Sequence, residues 1–196
     1  MSDLEKQTGP EAGKNVRDAQ PSDIAALQAI YAEHVLTGLA SFEETPPDIA
    51  EITRRLRETQ THGLPFLVAT IANENGIQQV IGFAYASPFR TRSAYRYTIE
   101  DSVYVASDAL GRGLGTALLG ELVSRCAALG YRQMVAVIGD TANTASIGLH
   151  AHHGFIETGS MPAVGFKLGR WVDSVRMQRP LGPGASVPPN DHPDEG

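Results

Sequence analysis

Residues 97–130 read YTIEDSVYVASDALGRGLGTALLGELVSRCAALG, a strand, a glycine loop and a helix in succession. Tyr97–Val105 is rich in β-branched and aromatic residues and predicts a strand. Gly111-Arg112-Gly113-Leu114-Gly115 leads into a helix expected over Thr116–Leu129, closed by Gly130 as a residue suited to a left-handed backbone. This combination makes an anion site. Unpaired backbone N–H groups and the helix dipole point at a phosphate, and alternate glycines let the backbone approach it. A plain flexible turn ahead of a helix is the alternative. Two common phosphate loops are excluded, because the stretch holds neither G-x-x-x-x-G-K-[ST] nor G-x-G-x-x-G.

Upstream of this stretch, Phe66–Ile71 and Val80–Ala86 are apolar runs separated by an Asn73–Gly76 turn, which predicts an antiparallel hairpin. Ser87 to Ala94 reads as a loop. Ile24, Leu27, Ile30, Tyr31 and Val35 share one helix face that stops near Gly38. A second helix is expected from Thr45-Pro46-Pro47-Asp48, with Thr45 as cap, Pro46 in the first turn and Asp48 at capping-box spacing. Lys14–Asp18 suits a short first strand. Downstream, Gln133–Ile138 is an apolar strand and Thr144–His153 a short helix stopped by Gly154. Phe155–Glu157 and Trp171–Met177 are final strands joined by a glycine-containing loop. The order β-α-α-β-β-β-α-β-α-β-β implies one α/β domain with a mixed, largely antiparallel sheet. The domain is expected over residues 15–180, between disordered tails at 1–14 and at 181–196, the latter rich in Pro, Gly and acid.

The net charge of −6 argues against a nucleic-acid binder, which usually shows a basic face. Charge is uneven, however. From Asn75 to Ile99 there is no acidic residue, while Arg90, Arg92 and Arg96 fall there, a local cationic pocket suited to a small anionic group. No apolar run reaches the ~18 residues that a membrane span needs. One cysteine, Cys126, leaves no internal disulfide and fits a reducing cytosol.

A second motif runs Asn143-Thr-Ala-Ser146-Ile-Gly-Leu149-His150-Ala-His152-His153-Gly154-Phe155. Asn143 and Ser146 stand where helix caps stand. His152 and His153, without an added Cys or convergent acid, make a poor metal site, and no metal is expected.

Together the glycine loop and this helix resemble the GNAT N-acetyltransferase superfamily, with its Q/R-x-x-G-x-G/A loop and N-x-x-S-x-x-L-Y/H-x-x-x-G-F helix. Leu110 stands where that loop usually begins with Arg or Gln. SFEETP at 41–46, SPFRTRSAYRYTIEDSVYV at 87–105, VAVIG at 135–139 and GFKLGRWVD at 165–173 are similar to the phosphinothricin and methionine sulfoximine acetyltransferase branch, from about Val16 to Arg179. The resemblance implies the GNAT fold, a mixed, twisted sheet with helices on both faces. It also implies acetyl transfer from acetyl-CoA to the amine of a small amino-acid-like substrate, in a cytoplasmic homodimer assembled around Phe166, Lys167 and Trp171.

The roles implied by the resemblance fall on particular residues. Gly111, Arg112, Gly113, Leu114, Gly115 and Thr116 would grip the pyrophosphate. Val103, Tyr104 and Val105 would meet the pantetheine arm and offer a backbone N–H to the developing oxyanion, with Asn143 and Ser146 opposite. An aliphatic amine is mostly protonated at neutral pH, so a base must take its proton. Glu100 matches the family glutamate for this. Its neighbour Asp101 is expected on the opposite strand face, so that only one of the two lines the site. His150 stands where many members carry a general-acid tyrosine, and its role as acid, base or positioning group is open. Arg92, with Arg90 beside it, would hold the substrate's carboxylate or phosphinate through a planar guanidinium fork. Phe42 and Tyr95 would form pocket walls. Two other readings stand beside this one: acetylation of protein N-termini or another amine, and a non-catalytic acetyl-CoA-binding module.

Overall fold

The computed structural model describes residues 15–189. The tail expected at 1–14 and the last seven residues lie outside that range. Ile24, Leu27, Ile30, Tyr31 and Val35 are all buried along α1 (Ile24–Thr37), and Gly38 ends it with its amide on the His34 carbonyl. Helix α2 (Ile49–Thr61) starts later than expected. Its cap is Asp48, whose carboxylate accepts from the Glu51 amide at 2.8 Å. The reason is local, since Pro46 and Pro47 push the residues before them out of the helical region.

Seven strands form one sheet in the order β1-β2-β3-β4-β5-β7-β6. They are β1 (Asn15–Asp18), β2 (Phe66–Ala72), β3 (Gln78–Pro88), β4 (Thr98–Val105), β5 (Gln133–Gly139), β6 (Ile156–Lys167) and β7 (Arg170–Pro180). Only β4 and β5 run parallel, joined through α3 (Leu114–Ala128); every other pair is antiparallel. The Gly-Ser-Met-Pro-Ala-Val-Gly run from Gly159, which reads as part of a loop, belongs instead to β6. Two register shifts absorb Gly159 and the Pro162–Ala163 corner. The strand sits on the sheet edge, where proline removes no needed donor.

Helices cover both faces. Over one, α1 and α2 pack on Phe66, Val68, Phe83 and Tyr104. Over the other, Leu118, Leu119 and Leu122 of α3 are fully buried against Leu67, Ala84 and Ile99; truncating such a leucine to alanine costs about 2–5 kcal/mol. Among the described residues, no helix is long and apolar enough to cross a membrane. Where a tail was expected from 181, Leu181 is buried and Arg132 donates to the carbonyls of Gly184, Val187 and Pro188.

Candidate active site

Strands β4 and β5 are paired only from Thr98/Gln133 to Asp101/Ala136. Beyond that point they part, although β4 continues to Val105 and β5 to Gly139. Two strand edges therefore face each other with backbone donors and acceptors that the ladder does not use. The gap is a cleft of about 440 Å³, of the size of small-ligand sites. Its walls come from the 40–43 segment, β4, β5, Ser174 of β7 and helix α4 (Thr144–His152).

The cleft passes through the sheet, and this overturns one expectation. Strand alternation holds: Glu100, Ser102 and Tyr104 stand opposite Ser87, Tyr85 and Phe83, on the α1 side, and Asp101 turns to the other face. Yet both carboxylates line the cleft, because the opening reaches both faces. Glu100 is half-buried. Burial raises its pKa above the usual carboxylate value, the Asp101 charge adds to the rise, and Arg90 and Arg176 offset part of it. A raised pKa makes the carboxylate a stronger base than an exposed one.

Asp101 is spoken for. Its Oδ2 lies 2.9 Å from His150 Nε2, with side chains 1% and 5% exposed. His150 Nδ1 donates to the Ser146 carbonyl at 2.7 Å. Both ring nitrogens thus face oxygen acceptors. Burial lowers the imidazole pKa, but the bond to Asp101, its charge and the Ser146 carbonyl outweigh that and leave it raised. His150 is clamped in the wall through both ring nitrogens, with Phe155 edge-on to its ring at 5.0 Å. Asn143 does cap α4, accepting from the Ser146 amide at 3.2 Å, and both residues also line the cleft.

Seven of the expected residues meet here: Phe42, Glu100, Val103, Tyr104, Asn143, Ser146 and His150. The glycine loop sits outside the cleft, beside α4, with Gly115 close against Leu149. Gly111 and Gly113 hold φ of 74° and 73°, a region that disfavours other residues. The first bond of α3 runs from the Ala117 amide to the Gly113 carbonyl. The amides of Leu114, Gly115 and Thr116 are therefore free of helical partners and available to an anion. Arg112 is exposed and donates to the Asp108 carbonyl at 3.1 Å, and Leu110 is also exposed. These amides and the parted edges of β4 and β5 fit a long ligand with an anionic group at one end; Val105, expected among the contacts, does not line the cleft, and its carbonyl accepts from His34 Nε2 at 2.9 Å.

Arg90, Arg92 and Tyr95 are exposed on the segment after β3 and do not line the cleft. Arg90 lies over the Phe89 ring at 4.6 Å and Tyr95 meets that ring edge-on. The cationic stretch thus lies outside the cleft, and of its arginines Arg90 is near enough to Glu100 to lower its pKa. Asp101, Ser41, Glu43, Tyr85 and Ser174 line the cleft without being expected there, and Ser102, which opens the strand segment expected to meet the pantetheine arm, lines it too. For Asp101 a signal was present, an acid amid the apolar residues of a central strand. For Ser174 there was none. Among the described residues, Asp101 Oδ1 and Ser174 Oγ are buried without a hydrogen-bond partner, and no three His, Cys, Asp or Glu side chains group as a metal site.

The acetyltransferase (GNAT) family model matches residues 27–155. A phosphinothricin N-acetyltransferase of Alcaligenes faecalis is 48% identical over 190 residues, 95% of this chain and 94% of the relative. An L-methionine sulfoximine/L-methionine sulfone acetyltransferase of Pseudomonas aeruginosa is 41% identical over 174 residues, 89% of this chain and 98% of the relative. Among solved structures, a GNAT superfamily phosphinothricin acetyltransferase from Sinorhizobium meliloti, in complex with acetyl-CoA, superposes with a TM-score of 0.86 at 49% identity, covering 93% of this chain and 97% of that one.

Proposed function

The chain belongs to the acetyltransferase (GNAT) family, in its phosphinothricin and methionine sulfoximine acetyltransferase branch, and from that membership we propose that it N-acetylates small amino acids of the phosphinothricin, methionine sulfoximine and methionine sulfone type, with Glu100 as the base. The observation that carries the mechanism is Glu100 itself, a half-buried carboxyl of raised pKa in a cleft made by two parting strands. Acetyl-CoA supplies the activated acetyl thioester. The Leu114–Thr116 amides would hold its diphosphate, and the free edges of β4 and β5, with Asn143 and Ser146, its pantetheine arm. Glu100 accepts the proton of the acceptor's ammonium, directly or through water, and so frees the nitrogen lone pair. The test is thiol release from acetyl-CoA against a panel of amino acids and their sulfur and phosphorus analogues. Turnover led by methionine sulfoximine, methionine sulfone and phosphinothricin is expected. Turnover on peptide N-termini alone, or binding of acetyl-CoA without turnover on any amine, would replace this reading by one of its two rivals.

Arg92, on the segment after β3, is assigned to the acceptor's anionic end, since the guanidinium fork matches a carboxylate or phosphinate. Arg92→Ala is expected to raise the KM for the amino acid by about tenfold or more, the loss of one charge-assisted pair. The KM for acetyl-CoA should stay within about twofold. An unchanged amino-acid KM removes Arg92 from the site.

The proposed assembly is a homodimer through the β6–β7 hairpin. Phe166 and Trp171 stack edge-on at 5.3 Å yet are 57% and 65% exposed, and Ile156, Val164 and Leu168 are exposed with them. An apolar patch of this kind on one hairpin marks an interaction surface. Sedimentation at micromolar concentration should give a dimer, and Trp171→Glu a monomer; a monomeric parent chain would refute the assembly.

A further inference from the structure

Lys167 is a lysine in an unusual place. It ends β6, is 3% exposed, and donates from Nζ to the Ser41 carbonyl at 2.6 Å. Lysine is rarely buried to this extent without a task for its charge. Its partner lies in the 40–43 segment, which forms one wall of the cleft.

That wall is fastened on two sides. From the helices, Tyr31 Oη donates to Glu43 Oε1 at 3.0 Å and lies 2.9 Å from Ser41 Oγ, while Arg55 donates to Glu43 at 2.8 Å. From the β6–β7 hairpin comes Lys167. Between these anchors the Phe42 ring lies in a notch left by two glycines. A Cβ on Gly165 would overlap the Phe42 ring, and one on Gly139 would overlap the Leu39 carbonyl oxygen and press on the same ring. Neither glycine has positive φ, so the notch, rather than backbone conformation, requires them there.

We propose that Lys167 is a positioning residue for the acceptor: by holding the Ser41 carbonyl it keeps Phe42 in the Gly139/Gly165 notch and so sets the width of the cleft beside Glu100. This rests on the reading that the amino acid binds in that cleft. The 40–43 segment and the glycine loop are separate parts of the molecule. Lys167 therefore acts at the amino-acid end of the cleft and leaves the diphosphate grip on acetyl-CoA alone. An acceptor wall misplaced by about 1 Å is enough to lower turnover strongly.

The test compares Lys167→Met and Gly165→Ala with the parent enzyme. Lys167→Met removes the ammonium and keeps the length. Gly165→Ala leaves the charge and fills the notch. Both are expected to raise the KM for methionine sulfoximine by about tenfold and to change the ranking among acceptors of different side-chain width. The Kd of acetyl-CoA, read by calorimetry, should stay within about twofold. Equal losses of acetyl-CoA and amino-acid affinity in both variants would make Lys167 a general stability residue and overturn the proposal. Unchanged acceptor KM and ranking in either folded variant would overturn it too. Failure of the functional reading looks different, since the parent enzyme would then show no turnover on the amino-acid panel.

Discussion

Glu100→Gln is expected to lower kcat for amine acetylation at pH 7 by about 10²–10⁴-fold, the usual range for loss of a positioned general base. The substitution keeps size and hydrogen-bonding capacity and removes only basicity. The Kd of acetyl-CoA should therefore stay within about twofold, which separates lost chemistry from lost binding. The parent enzyme should lose activity as pH falls through the Glu100 pKa, and that limb should lie above the ordinary carboxylate range. Burial and the Asp101 charge both push the value up. In Glu100→Gln that acid limb should vanish, and the residual rate should climb with pH as the free-amine fraction of the acceptor grows. The same shift acts on stability with a definite sign. The folded protein keeps the Glu100 proton to higher pH than the unfolded chain. Stability is therefore lost as pH rises from the usual carboxylate value through the raised one, and Glu100→Gln should lose less over that interval in thermal melts. A variant with unaltered kcat and an unaltered acid limb would take Glu100 out of the mechanism.

The second large effect is expected at the pair behind it. Asp101→Ala removes the group that holds the His150 pKa up and leaves a buried imidazole, its side chain 5% exposed, without its partner at Nε2. The imidazole can shed its proton, and the cost that remains is that of a buried polar atom without a hydrogen bond, about 1–3 kcal/mol. Replacing both members, as in Asp101→Val with His150→Phe, should recover all but about 1 kcal/mol in urea unfolding. The pair also has a pH signature. The His150 pKa is raised in the folded state, so the stabilisation is full below the usual imidazole value and is lost as pH rises through the raised one. Asp101→Asn should flatten this slope. A single Asp101→Ala variant as stable as the parent would show that the bond to His150 carries no net stabilisation.

Local chemistry made part of the site legible in advance. Gly111 and Gly113 stand at positive φ ahead of a helix, and only glycine takes such positions without strain, so the turn into α3 could be read directly. Asn143 announced a cap and is one. Glu100 was named through its match to the family glutamate, and a carboxylate in an apolar strand agrees with that choice. The start of α2 was misplaced by three residues because two successive prolines look like a helix N-terminus and yet hold the backbone extended before it. The role of Asp101 was misread for a different reason. Alternation assigned its face correctly, but no local rule says that a cleft cuts through the sheet and gathers both faces.

Periodicity, turn residues and strand composition determined the order of helices and strands, the hairpin and the glycine loop. These depend on neighbours a few residues apart, where backbone sterics and side-chain spacing are decisive. Tertiary structure alone decided the parting of β4 from β5, the Asp101–His150 contact across 49 residues and the Lys167–Ser41 bond across 126. Such distances are sums over the packing of several elements, and a small rotation of any one of them would alter the contact while every local preference stayed satisfied.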